Sequence, residues 1–251
     1  MLKLYSFGPM ANSLKPMLTL FEKFEFERDF TIHRLDPGKF EHHSDWFKAI
    51  NPRGQVPALE DGGRIVTEST VICEYLEDAH PTAVALRPEA AFDRAQMRIW
   101  TKWVDEYFCW CVSTIGWHRG VRYMAQALSD EEFEAHLENI PVPEQKLKWR
   151  RAREGFPQDL LDEEMRKIAV SVRKLDDHLA DNEWLAGGIY SLADICNFAI
   201  ANGLEQGFAE FVNESDTPYL LRWIRQINER PAAKAMFTHV PRERFEPAKA
   251  H

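Results

Sequence analysis

Only four of the 251 residues are cysteine, Cys73, Cys109, Cys111 and Cys196, and no two of them form a C-x-x-C pair. That scarcity argues against a disulfide framework and suits reduced thiols in the cytosol. Cys109 and Cys111 lie two apart in a predicted helix, so they face different sides and read as packing; no metal is expected. A long apolar run is also lacking: the chain opens Met1-Leu2-Lys3-Leu4-Tyr5-Ser6, with neither a signal segment nor a membrane span. The expected location is cytoplasmic, without membrane association. Basic charge is in deficit, 31 Lys and Arg against 40 Asp and Glu for a net charge of -9, which argues against a nucleic-acid partner. The one basic cluster, Lys146, Lys148, Arg150, Arg151 and Arg153, is broken by Leu147 and Trp149 and reads as a solvated helix face. No internal repeat is apparent.

What is present is 45% apolar content, enough for a full core in one large domain or two ordinary ones. Leu2 to Phe7 followed by Gly8-Pro9 predicts a buried strand and a turn. Asn12 is placed to cap a helix whose Leu14, Met17, Leu18 and Phe21 recur at helical spacing. Phe30 and Ile32 predict a second strand, and a polar stretch with Lys39, His42, His43 and Trp46 an irregular helix. Asp61-Gly62-Gly63 marks a hairpin between Pro57–Leu59 and Arg64–Thr67, against which Val71, Ile72, Tyr75 and Leu76 set a helix. The order is βαβαββα. Beyond a linker at 81–88 no strand is evident. A long aromatic helix runs from Glu89 to about Gly120, an acidic helix from Ser129 to Glu138, and another long one carries Leu160, Met165, Ile168, Val172, Leu175 and Leu179. Ser191 and Asp194 form a variant capping box opening a nearly apolar helix. Leu220, Trp223, Ile224 and Ile227 make a helix that stops before Pro231.

The chemistry concentrates at Asn51-Pro52-Arg53-Gly54-Gln55-Val56-Pro57-Ala58-Leu59 and at Glu68-Ser69. A cis bond before Pro57 is accessible at small cost and forces a tight turn. It leaves the Val56 peptide group outward, an edge on which an extended peptide docks as a short strand. Glu68 and Ser69 add a carboxylate, a hydroxyl and free helix-start N–H groups. These groups suit a small zwitterionic peptide, and glutathione is the candidate co-substrate. Ser13 and Asn12 at the first helix start can either donate to a thiolate beside the positive helix end or simply cap the helix. Glu68 and Ser69 can likewise stabilise a helix on their own account.

Gly54-Gln55-Val56-Pro57, Glu68-Ser69 and the Ser191-x-x-Asp194 box, in this order along the chain, resemble the glutathione transferase superfamily. Further stretches, among them LKLYSFGP at 2–9, WTKWVDEYFCWCVSTIGW at 100–117 and LKWRRAR at 147–153, are most similar to the bacterial glutathione-dependent β-etherases of lignin breakdown, in particular the subgroup cleaving the β(S) isomer. The resemblance implies an α/β thioredoxin-like N-terminal domain at 1–80, a linker at 81–88 and an all-α helical-bundle C-terminal domain at 89–251. It implies Ser13, helped by Asn12, at the glutathione sulfur; Val56 on the cysteinyl backbone; Glu68 and Ser69 on the γ-glutamyl end; Gln55 assisting; and Pro57 cis. His42, Lys39 or Arg53 would meet the glycine carboxylate, though each alone reads as a solvated surface residue. Phe7, Pro9, Tyr107, Trp110, Ile115 and Trp149 become candidates for an aromatic pocket, most of them equally readable as core. The implied reaction is displacement of a phenol from the β-carbon of an α-keto β-aryl ether by the glutathione thiolate, in a dimer. Two alternatives stand beside it: transfer to another electrophile such as an aryl halide, an epoxide or a peroxide, and a non-catalytic ligand carrier or scaffold.

Overall fold

The structure, a computed structural model, describes residues 1–82 and 84–241. Ala83 of the expected linker and residues 242–251 of the expected helical unit lie outside the described residues. The first part runs β1 (Leu2–Ser6), α1 (Ala11–Lys23), β2 (Phe30–Arg34), a 3-10 turn (Glu41–His43), α2 (Asp45–Ile50), β3 (Ala58–Asp61), β4 (Arg64–Thr67) and α3 (Ser69–Ala79). The sheet order is β2-β1-β3-β4. β1 is parallel to β2, while β3 is antiparallel to both β1 and β4. Leu4 pairs with Ile32 on one side and Leu59 on the other and is fully buried. α1 and α3 pack together, burying Leu14, Met17, Leu18, Ile72 and Leu76. Val71, expected on the hairpin, is instead 55% exposed.

Asn12 is not the cap of α1. That place belongs to Met10, extended at φ -141 and ψ 145 and with no side-chain capping bond. The chain turns at Ala11, whose φ of 43 lies in the left-handed region, so Asn12 and Ser13 fall inside the first turn.

The second part is helical: α4 (Ala91–Trp103), α5 (Cys109–Gly116), α6 (Arg122–Ala127), α7 (Asp130–Asn139), α8 (Pro143–Glu154), α9 (Gln158–Asp181), α10 (Leu192–Ala201), α11 (Leu204–Gly207), α12 (Pro218–Asn228) and α13 (Pro231–His239). The long aromatic helix extends past Gly120 to Ala127, with π turns at Val104–Phe108 and Trp117–Val121. Each π turn widens the ladder by a residue and shifts which side chains follow on the buried face, a change that apolar spacing does not reveal. α13 was not expected either. Pro231 stops α12 and, at the first position of the next helix where no N–H is needed, starts α13.

α10 is buried along its whole length. Ser191 and Asp194 form the expected capping box there, and the Asp194 carboxylate also accepts from the Leu185 N–H and from the Trp223 indole, both at 3.0 Å. One carboxylate therefore ties the start of α10 to α12 and to the preceding loop. α10 packs against α1 and α4, so this node underlies the helix bearing Ser13. The four cysteines are free thiols, and no His, Cys, Asp and Glu cluster suited to a metal occurs among the described residues. No helix among them is long and apolar enough to cross a membrane.

Candidate functional site

The ends of three adjacent strands meet at one edge of the first part. Tyr5 pairs with Ala58 and Ala58 with Thr67. Continuing that register by one residue sets Pro57 between Ser6 and Glu68, and by two brings Phe7 towards Val56; both pack on the small core of Tyr5, Leu35, Phe47 and Ala58. The Val56–Pro57 bond is cis, and the Val56 peptide group makes no hydrogen bond among the described residues. An extended residue with both backbone groups free at a sheet edge is suited to pairing with a peptide.

The loop that presents Val56 is held from beneath. Asn51 donates from its side chain to the Gln55 carbonyl at 2.6 Å and accepts the Arg53 N–H at 3.1 Å. Gly54 has φ +60, and a Cβ there would lie 2.9 Å from the His42 carbonyl oxygen and from His43 Cδ2. No other residue fits that approach without displacing the turn.

Glu68 sits at φ 67 immediately before α3, is exposed, and makes no side-chain capping bond. Ser69 behind it is buried. A glutamate held in the left-handed region costs on the order of 1–3 kcal/mol, and Ala11 is held the same way. These two positive-φ residues stand where β4 enters α3 and where the loop after β1 enters α1. Glu27 and Phe40 also have positive φ, so the strain by itself marks no site; at Ala11 and Glu68 it fixes how the chain enters the two helices.

At the start of α1 the Ser13 N–H bonds the Met10 carbonyl at 3.1 Å, leaving the Ala11 and Asn12 N–H groups without backbone partners among the described residues. Pro16 lies within the helix and has no N–H to offer the Asn12 carbonyl. Asn12 Oδ1 accepts from the Cys109 thiol at 3.6 Å, which turns its amide NH2 away from α5. Behind this turn Lys15 is fully buried and paired with Asp105 at 2.5 Å. Burial opposes its charge, but Cys196, Asp105 and Cys109 hold the ammonium above its usual range. Lys15 lies two residues after Ser13, on a different side of α1, and its charge is met by Asp105; the positive potential beside Ser13 is that of the helix end.

The other expected residues are distributed as follows. His42 packs against His43 at 3.9 Å with the rings tilted by 47°, and meets Phe7 edge-on at 4.9 Å. Burial, reinforced by His136, lowers His42 to about 4, so at neutral pH it offers an N–H and no charge. Lys39 is exposed and pairs with Asp36 at 3.4 Å. Arg53 is exposed, its Nε 3.3 Å from the Gln55 side chain. Pro9 is buried. Tyr107 and Trp110 are 37% and 57% exposed on the long helix. Ile115 belongs to the main core. Trp149 is buried in a second small core, in ring contact with Trp117, His136 and Phe40.

The basic stretch on α8 is not uniformly solvated. Lys148 donates to Ser113 Oγ at 2.8 Å, with its Nζ 4.8 Å from the Trp117 ring centre and 5.7 Å from that of Trp110. Burial lowers it to about 8. The place of Lys148 between Leu147 and Trp149 was the available signal that it points inward. Ser113 and Asp105 carried none.

Comparison with known proteins places the chain in context. The family model for the glutathione S-transferase N-terminal domain matches residues 1–78, and that for the C-terminal domain matches residues 108–231. The chain is 62% identical to Protein LigF of Sphingobium sp. (strain NBRC 103272 / SYK-6) over 248 residues, covering 96% of this chain and 95% of that one. The crystal structure of beta-etherase LigF from Sphingobium sp. strain SYK-6 superposes with a TM-score of 0.91 over 95% of this chain and 99% of the other. Glutathione transferase F7 from Populus trichocarpa, 26% identical, superposes at 0.68 over 95% and 98%.

Proposed function

The chain belongs to the glutathione S-transferase family, and from that premise we propose that it is a glutathione-dependent β-etherase. The likeness to beta-etherase LigF along nearly the whole of both chains carries this reading. Residues 1–80 serve as the glutathione-binding unit and 81–88 as the linker, while the helical unit from 89 supplies the second substrate's pocket.

In this reading glutathione lies extended along Val56, whose free N–H and C=O pair with its cysteinyl residue as a short strand. Exposed Glu68 and buried Ser69 receive the γ-glutamyl ammonium and carboxylate, the latter aided by the N–H groups opening α3. Gln55 assists, and His42, Lys39 and Arg53 stand on the side of the glycine carboxylate. A free thiol titrates near 8.5, so only a few per cent is thiolate at neutral pH. Ser13 donates its hydroxyl hydrogen to the sulfur, the Asn12 amide adds a second donor, and the start of α1 favours the anion. The thiolate attacks the β-carbon of an α-keto β-aryl ether, the C–O bond breaks, and a phenol and a β-glutathionyl ketone form. Phe7, Tyr107 and Trp110 present the aromatic surface for the ether, with Pro9, Ile115 and Trp149 packed behind it. The protein supplies orientation and electrostatics and needs no covalent residue.

Residence in the cytoplasm and pairing as a dimer belong to the same reading. The dimer is supported by apolar side chains left exposed on both parts of the chain: Ile65 and Val71 near α3, Phe92 and Ile99 on α4. Incubation with glutathione and each enantiomer of an α-keto β-aryl ether, followed by chromatography, tests the function. Phenol and glutathionyl ketone are expected in equal amounts, from the β(S) isomer. Conjugation of aryl halides or epoxides without phenol release from any ether would overturn the β-etherase reading and leave a different transferase.

A further inference from the structure

Between the thiol site and α8 runs a line of polar groups that the reading above leaves unused. Asn12 touches Cys109 Sγ at 3.6 Å. Ser113 is one turn further along α5, on the same face and roughly 5–6 Å away, and it accepts from Lys148 Nζ at 2.8 Å. Two indole rings, Trp110 and Trp117, flank that ammonium. A cation between aromatic faces at the exposed Trp110 side of α5 is a place where an aryl ether can stack while its ether oxygen meets a donor.

We propose that Lys148, held by Ser113, is the general acid that protonates the phenol oxygen as it departs. The inference rests on the β-etherase reading. As sulfur bonds to the β-carbon, the pair of electrons of the C–O bond passes to the oxygen, and the Lys148 ammonium gives that oxygen a proton. The neutral amine then takes a proton from water, which has received the one lost by the glutathione thiol. Charge and protons balance over the turnover.

The energetics fit this assignment. Burial lowers the ammonium to about 8, while Glu164 on α9 favours its charge; α8 itself packs on α6 and on the Trp117–Val121 turn, which carry His118, Arg119, Arg122 and Tyr123. Cys109 is itself raised, first by burial, and remains a neutral thiol at pH 7. A simple phenol titrates near 10, so transfer from Lys148 is favoured by ~100-fold, whereas an ordinary lysine near 10.4 gives almost no driving force.

The test uses two α-keto β-aryl ethers, one releasing a methoxyphenol and one a far more acidic nitrophenol. In Lys148→Met, kcat on the methoxyphenol ether should fall by ~10²–10³-fold, the range of a lost general acid, while kcat on the nitrophenol ether changes less than about threefold. Lys148→Arg, which keeps charge but cannot release a proton at these pH values, should show the same selectivity with a smaller loss. In the unaltered enzyme the methoxyphenol reaction should decline above about pH 8 and the nitrophenol reaction should not, a comparison that needs no variant. Calorimetry should find glutathione affinity unchanged in both variants. Equal losses on the two ethers, or a common pH profile, would overturn the acid role and leave the β-etherase reading intact. No phenol from either ether with the unaltered enzyme would instead overturn that reading.

Discussion

Replacing Asp194 with alanine removes, in one step, the acceptor for four donors. Oδ1 receives the Leu185 N–H and the Trp223 indole N–H, each at 3.0 Å; Oδ2 receives the Ser191 N–H at 3.0 Å and the Ser191 hydroxyl at 3.3 Å. The hydroxyl can rotate to another partner, but the other three donors are fixed and buried. Each buried donor left unsatisfied costs ~1–3 kcal/mol, giving ~3–9 kcal/mol in all. Against this, burial pushes the carboxyl up to about 6 in spite of its donors, roughly two units above its ordinary value. Removing a charge held at that disadvantage returns up to ~3 kcal/mol. With that return taken in full, the expected net loss at pH 7 is ~0–6 kcal/mol, centred on ~3 kcal/mol. The pH dependence has a definite sign. A carboxyl raised in the folded state takes up its proton there before the unfolded chain does, so its stabilising effect is full below about 4 and is lost as pH rises through about 6. The gap between the parent protein and Asp194→Ala should accordingly widen from pH 7 to pH 5. Urea unfolding followed by tryptophan fluorescence measures both quantities, with an unchanged m-value as the control. No measurable loss at pH 7 together with a gap that fails to widen at pH 5 would refute the claim that this carboxylate holds α10 to α12. Because α10 supports α1, glutathione affinity should also weaken, although Asp194 is no part of the glutathione cradle.

Ser13→Ala should lower kcat/KM by ~10–100-fold, the worth of one hydrogen bond to a charged sulfur, and raise the bound thiol's pKa by ~1–2 units; the thiolate ultraviolet band of the glutathione complex reads the second effect, and an unshifted band would remove Ser13 from the sulfur. Gly54→Ala should destabilise the chain by ~1–3 kcal/mol and weaken glutathione binding, since a Cβ at φ +60 meets the His42 carbonyl and His43 ring at 2.9 Å; thermal unfolding with and without glutathione checks it, and a neutral result would mean that the loop is free to move. Acid should destabilise the junction of the 3-10 turn with α7, where burial first of all lowers His42 to about 4, His43 to about 3 and His136 to about 4. These rings pack in series at 3.9 and 5.2 Å, and the unfolded chain protonates near 6.5 while the folded one does not, so stability is complete above that pH and falls as pH drops towards 4. The slope should be at most ~1.4 kcal/mol per pH unit for each proton excluded, less where solvent reaches a ring, and His136→Phe should flatten it; an unchanged slope in urea titrations between pH 7 and 5 would exclude this cluster as the acid-sensitive junction.

Much of the architecture was legible in the chain. Turn glycines, period-two strands and 3.6-residue apolar faces are local signals, and they marked β1 to β4 and most helices. The cis bond before Pro57 and the box at Ser191 and Asp194 were likewise readable, because each depends on residues a few positions apart. Boundaries failed where one local signal serves two ends. Asn12 looks like a cap, but the left-handed turn at Ala11 moves the cap to Met10. Pro231 looks like a stop and is also a start. The π turns left no mark in the spacing.

The sequence alone determined the βαβαββα order of the first part, the cis turn at Val56 and Pro57, and the likeness that points to glutathione, since all of these are encoded by neighbours along the chain. Only the tertiary structure decided which distant charges meet. Lys15 finds Asp105 across 90 positions, and Asp194 reaches Trp223. Of five cations in an apparently solvated stretch, Lys148 turns inward to Ser113 between two indoles and Arg153 to the Ala125 and Leu128 carbonyls. The physical reason is that the worth of a charge depends on how much water its surroundings exclude and on which partner replaces that water, and neither is a property of the local sequence.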